Sequence, residues 1–140
     1  MSSVPVDKEL LLHGGCLCGR LRYALRRDEI ADTGYCHCRL CQRSAGAPVL
    51  AWLSVPVAFF DYLSGRPRPY LSSKQYTREF CPDCGTQLVF RAVEPEATLD
   101  VTIASLDQPE LVPPAKHIWC ESRIRWFDTS DSLPRHDDAG

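Results

Sequence analysis

Phe80-Cys81-Pro82-Asp83-Cys84-Gly85 places two cysteines across what reads as a sharp turn, and Thr86-Gln87-Leu88-Val89-Phe90 continues as a short β-forming run. A redox dithiol with the same CxxC spacing usually begins a helix after a strand, whereas here turn and strand follow. The stretch therefore reads as half of a metal site, with Gly85 free to take a positive φ where other residues would be strained. A β framework is expected around it.

The other cysteines extend this reading. Cys16-x-Cys18 is a second half-site, expected in an extended segment whose alternate side chains share a face. Cys16, Cys18, Cys81 and Cys84 together complete a closed tetrahedral zinc site that staples distant parts of the chain. Cys36-x-Cys38-x-x-Cys41 combines an i, i+2 pair with a turn, so three sulfurs can face one ion and leave its fourth position open. Closed sites are structural, and open ones are the pattern of catalysis. Two zinc ions per chain are expected, with the three-ligand site the more labile. Cys120 reads either as a small buried apolar residue or as a fourth ligand that would close the second site. His37, between two ligands, should face away from their metal, toward solvent or a hydrogen bond; His117 is expected to pack, and His13 and His136 to be solvated.

Apolar segments at 20–25, 48–55, 87–91, 99–104 and 117–119 read as strands, punctuated by glycine and proline turns. Eleven prolines disfavour long helices, and only 39–45 is expected to make a helical turn or two. The fold class is all-β in a single domain over residues 10–133, with flexible tails at 1–9 and 134–140. The composition of the 140 residues, 44% hydrophobic and 24% charged, is that of an ordinary globular chain. A formal net charge of -2 supplies no basic field for nucleic acid. No run is long enough to span a membrane, and the first residues lack the basic start and apolar core of a signal peptide. A cytoplasmic location is expected, where thiols stay reduced and read as metal ligands before disulfides.

Gly14-Gly15-Cys16-Leu17-Cys18-Gly19, Cys36-His37-Cys38-Arg39-Leu40-Cys41, Phe80-Cys81-Pro82-Asp83-Cys84-Gly85-Thr86, Leu106-Asp107-Gln108-Pro109 and His117-Ile118-Trp119 with Trp126 resemble the glutathione-dependent formaldehyde-activating enzyme and centromere protein V family. The resemblance implies a Mss4-like β fold, a structural zinc on Cys16, Cys18, Cys81 and Cys84, and a catalytic zinc on Cys36, Cys38 and Cys41. It also implies carbon-sulfur lyase chemistry of the S-(hydroxymethyl)glutathione synthase kind, with glutathione and formaldehyde as partners. At Cys120 the family commonly carries an aliphatic residue, which leaves open whether this thiol enters the pocket.

A zinc held by three thiolates suits a soft sulfur ligand, so the expected reaction joins or splits a thiol and a small aldehyde. No catalytic residue beyond the metal ligands presents itself. Arg43, Ser44 and Arg78 are candidates for binding substrate carboxylates or a developing oxyanion, and equally for solvated surface. The alternatives are a non-catalytic, zinc-stabilised binding module for a protein or nucleic acid, and an enzyme acting on another thiol or small electrophile.

Overall fold

The computed structural model describes residues 10–94 and 97–140. The expected N-terminal tail, residues 1–9, lies outside the described residues. Ten strands and one helix follow in chain order: β1 (Leu11–Gly15), β2 (Arg22–Arg26), β3 (Asp32–Cys36), α1 (Arg39–Ala45), β4 (Leu50–Pro56), β5 (Phe60–Ser64), β6 (Arg68–Leu71), β7 (Tyr76–Phe80), β8 (Gln87–Ala92), β9 (Thr98–Thr102) and β10 (His117–Ile118). They form a three-stranded sheet, β1-β2-β5, and a seven-stranded sheet, β10-β3-β4-β9-β8-β7-β6. All pairings are antiparallel except that of β10 with β3.

The main core is shared between the sheets: Leu12, Tyr23, Leu25 and Phe60 from the small one pack with Leu53, Val55, Val89, Leu99 and Val101 from the large one. Strand β4 shows why the large sheet has two working faces. Its side chains alternate, so Leu53 and Val55 enter the main core while Leu50 and Trp52 join a second cluster with Cys36, Cys41, Ile118 and Trp119. Gly34 on the neighbouring β3 gives that indole its room: a Cβ there would lie 3.0 Å from Trp52 Cζ2. The second face therefore carries an apolar cluster that is itself threaded with cysteines.

Strands β2, β4, β8 and β9 overlap the expected apolar segments to within one residue at an end, β10 falls within its segment, and α1 spans 39–45 as expected. Strands β1, β3, β5, β6 and β7 are additions. β6 is fully exposed and ends the large sheet, and β7 places charged Arg78 and Glu79 in the interior, so neither has a strand's usual apolar alternation. The segment after Leu133, expected as a flexible tail, is instead tied alongside β10. His117 N–H donates to Pro134 O at 2.8 Å, Cys120 N–H to His136 O at 3.0 Å, and Trp119 N–H to Asp138 O at 2.8 Å. The physical reason is backbone demand: β10 has β3 on one side only, and the tail satisfies the groups on the other.

Candidate metal centres and cavity

Cys16 follows β1 directly, and Cys18 lies in the turn that leads toward β2; Gly19 N–H closes that turn onto Cys16 O at 3.1 Å. The half-site is thus a knuckle rather than the extended segment expected. Two inward-facing sulfurs need a turn here, because the chain must reverse to pair β1 with β2. Cys81 and Cys84 form the matching knuckle after β7. Gly85, at φ 83°, donates to Cys81 O at 2.8 Å and takes the left-handed conformation foreseen for it.

The four sulfurs lie within 4.8 Å of one another, with Cys16–Cys18 at 3.5 Å and Cys18–Cys81 at 3.7 Å. A tetrahedral zinc with bonds of about 2.3 Å would hold its sulfurs roughly 3.8 Å apart, so the donor set fits that ion. All four thiols are free of disulfides. Hydrogen bonds from the chain suit sulfurs that carry negative charge: Leu21 N–H donates to Cys16 Sγ at 3.2 Å, and Thr86 Oγ1 lies 3.3 Å from Cys84 Sγ. The Thr86 contacts hold the Cys84 thiol down to about 5. Cys16 and Cys81 are buried in the main core, so the knuckles pin the end of the sandwich.

The second cluster sits where β3 runs into α1. Cys36 ends the strand, Cys38 is the extended N-cap of the helix, and Cys41 lies in its first turn, where its N–H donates to Cys38 Sγ at 3.3 Å. Their sulfurs also fall within 4.8 Å of one another. Sulfur contacts from Cys36 and Cys41 hold Cys38 well below the ordinary thiol range, while the contacts of Cys36 with Cys38 and then Cys41, together with burial, push Cys36 well above it. Three neighbouring thiolates repel one another, and full ionisation demands a cation. The cluster therefore has the chemistry of a metal site.

Among the described residues no fourth His, Cys, Asp or Glu joins this set. Cys120 sits in a turn after β10, its backbone bonded to His136, and is not part of the cluster. His37 points the other way, as its place between two ligands required, but it is buried rather than solvated. Its Nε2 lies 2.8 Å from His117 Nδ1, and His117 Nε2 lies 3.1 Å from Asp131. The Asp131 carboxylate accepts from His117 Nε2–H, which leaves His117 Nδ1 to accept from His37 Nε2–H. His117 is packed as expected, stacked on Tyr35 at 4.8 Å, and His13 is exposed. His136 is half-buried by its pairing with β10, not fully solvated.

A cavity of about 410 Å³ opens on the three sulfurs. Its walls include Leu50 and Trp52 from β4, Tyr76 and Arg78 from β7, Phe90 from β8, Ile118 from β10, and Trp119 just after it. A second space of about 450 Å³ adjoins it, sharing Leu40, Ser72, Arg78 and Gln87, and adds Arg43, Ser44 and Tyr70. The three candidate polar residues differ in placement. Arg78 is buried, stacks over Phe90 at 4.8 Å, and donates to Ser44 Oγ at 3.2 Å and to Cys41 Sγ at 3.7 Å. Ser44 is exposed and donates to Cys41 O at 3.1 Å, and Arg43 is exposed beside the second space.

Two supports escaped the sequence reading. Gln42 is buried in α1 and donates to His37 O at 2.6 Å and Ser122 O at 3.1 Å, tying the cysteine loop to the chain after Trp119. Trp119 is the one non-glycine residue at positive φ, 56°, among the described residues, a costly conformation for a bulky side chain. The tail holds it there through Asp138 O, and its indole lines the cavity. A mid-helix glutamine carries no spacing signal, and the His117-Ile118-Trp119 stretch, though quoted for the resemblance, does not announce a left-handed backbone at Trp119.

A mainly β domain with two cysteine clusters able to hold metal ions, one of them facing a cavity, is the class that fold and site define. The chain belongs to the glutathione-dependent formaldehyde-activating enzyme family, whose model matches residues 11–122. Among solved structures it is similar to a crystal structure of a Rhodobacter sphaeroides protein. The two are 21% identical, with a TM-score of 0.56, over 73% of this chain and 96% of that one. No curated protein matches. That likeness shows the fold; the family match extends over both cysteine clusters.

Proposed function

We infer that this protein is a zinc-dependent enzyme of carbon-sulfur lyase type, forming or splitting an adduct between a glutathione-like thiol and a small aldehyde at Cys36, Cys38 and Cys41. The observation that carries the reading is a three-cysteine set with no fourth His, Cys, Asp or Glu among the described residues, facing a cavity of substrate size. Cys16, Cys18, Cys81 and Cys84 would hold a structural zinc. Cys36, Cys38 and Cys41 would hold a zinc that, when bound, would suit a soft sulfur ligand and favour it as thiolate.

The chain's own groups account for the rest of the chemistry. Arg78 beside Cys41 offsets the negative charge that accumulates when several sulfurs ionise together. Trp52 and Phe90 wall the site against water. The cavity holds sulfur and carbonyl carbon side by side, which removes the entropy cost of their encounter. The thiol proton ends on the carbonyl oxygen as the carbon-sulfur bond forms, and the reverse steps release the aldehyde. Ser44 and Arg43 border the adjoining space, where the charged ends of a glutathione-like thiol would lie. No helix of the described residues is long and apolar enough to cross a membrane. A small-molecule role in the cytoplasm, without nucleic acid or membrane partners, is consistent with that and with the net charge.

A binding module with two closed metal sites would need a fourth ligand at the second cluster. Cys120 does not join the three-cysteine group, and His37 is bonded to His117. The test compares native protein with Cys38→Ser for zinc content and for interconversion of glutathione, formaldehyde and their adduct. Zinc-dependent turnover in the native protein alone supports the reading. No turnover at full zinc loading sinks it.

A further inference from the structure

The cavity beside Cys36, Cys38 and Cys41 is much larger than a one-carbon aldehyde requires, and its walls are of the wrong kind for a small hydrated molecule. A cavity of about 410 Å³ falls within the range that encloses a ring-bearing ligand. Trp52, Tyr76, Phe90 and Trp119 supply aromatic surface, and Leu50 and Ile118 supply aliphatic surface. Two charged side chains reach the lining, and each already has a partner: Arg78 is engaged by Cys41, Ser44 and the Phe90 face, and Asp100 by the Ser54 hydroxyl.

Polarity is divided between the two adjoining spaces. Arg43 and Ser44 line the second space but not the first, so a charged thiol has a place to extend that leaves the aromatic chamber unfilled. Ser72, Ser73, Gln87 and Thr102 also reach the lining, but aromatic and aliphatic surface predominates, so an apolar group gains by displacing water from it. The Tyr76 and Phe90 rings are stacked at 4.7 Å and 12°, presenting ring edges and faces in fixed orientation, as recognition of a planar group requires.

We propose that the carbonyl substrate of this protein is an aldehyde bearing an apolar, ring-sized body, which occupies the chamber walled by Trp52, Phe90, Ile118 and Trp119. This assignment rests on the thiol–aldehyde reading above and narrows it. In the reaction the thiol sulfur bonds to the aldehyde carbon, the carbonyl π bond opens, and the thiol proton passes to the carbonyl oxygen. No oxidant or reductant is consumed.

Two measurements on the full-length, zinc-loaded protein separate this substrate assignment from the underlying reading. In the first, methyl signals of Leu50 and Ile118 are followed by NMR during titration with benzyl alcohol, an unreactive ring probe, and with methanol. Benzyl alcohol should saturate the shifts at a concentration at least about tenfold lower, the scale on which apolar pockets discriminate. Leu40→Glu, at a half-exposed position on the lining, should weaken the ring probe about tenfold without disturbing the fold. Equal response to both probes, or binding unaffected by Leu40→Glu, overturns the assignment. In the second, catalysed interconversion of aldehyde and thiol adduct is measured by NMR exchange for benzaldehyde and formaldehyde. A kcat/KM at least about tenfold higher for benzaldehyde is expected. Turnover of formaldehyde with no gain for benzaldehyde overturns the ring-bearing substrate and leaves the enzyme reading standing. Ring binding with turnover of neither aldehyde overturns that reading, and the substrate assignment with it.

Discussion

The two cysteine clusters use the same ligand in opposite settings. The four-cysteine set joins two knuckles 63 residues apart, Cys18 to Cys81, and two of its members are packed into the main core. The three-cysteine set is drawn from six consecutive residues, belongs to the smaller apolar cluster, and faces a cavity. An ion in the first closes a long loop and so bears on folding. An ion in the second crosses only a short one, so its loss should leave the fold largely intact and remove the chemistry.

The hardest blow to that contrast is Cys81→Ser. It should unfold the domain, because loss of a structural ion is comparable to a whole domain stability of about 5–15 kcal/mol. Circular dichroism and yield of soluble protein would show it. Native-like melting would mean that the four-cysteine set is not structural. Cys38→Ser should do the converse: zinc per chain halves, adduct turnover falls by at least about 100-fold, and the circular dichroism spectrum is unchanged.

Arg78→Met tests a smaller effect. It leaves the Cys41 sulfur without its cationic neighbour, a charge-assisted contact of about 1.5–3 kcal/mol, so turnover should fall roughly 10- to 100-fold. Zinc should also leave the second site faster, as read by a chelator-competition assay. An unchanged off-rate would separate the arginine from the metal cluster. Gln42→Ala should cost about 1–3 kcal/mol of stability in urea titration, since His37 O and Ser122 O lose a buried donor.

The mildest test is one of pH. The Thr129 hydroxyl first, and then the Leu133 N–H and His117, hold the Asp131 carboxyl down to about 2. A lowered folded pKa means that the unfolded chain binds the proton more readily. The stabilisation is therefore complete above the unfolded value near 4 and is lost as pH falls toward 2. The protection factor of the His136 amide, which donates to His117 O and in which the intrinsic pH dependence of exchange is divided out, should fall across that window and stay flat from pH 5 to 7. A transition near pH 6 would place the tail under a different group.

Cysteine spacing carried much of the site, because ligands that must meet at one ion are confined to short offsets and tight turns. Cys36, Cys38 and Cys41 came together as their spacing implied, and so did the two halves at 16–18 and 81–84. Strands with strong apolar character were legible for the same local reason. β7 was not, because Arg78 and Glu79 are buried only by virtue of partners from elsewhere: Cys41 and Ser44 for one, Tyr62 and Arg91 for the other. No local pattern announces such partners.

The contrast between the clusters divides along that line. Which cysteines can meet at one ion is legible from sequence spacing, since bond length and turn geometry are local constraints. Whether the three-ligand set stays open is not, because Cys120 is 79 positions beyond Cys41 and its distance is set by how β10 and the tail pack. The apolar chamber, the His37–His117–Asp131 chain and the left-handed Trp119 are likewise products of long-range packing. Each depends on which side chains the sheet order brings face to face, and sheet order is decided by the burial of the whole chain at once.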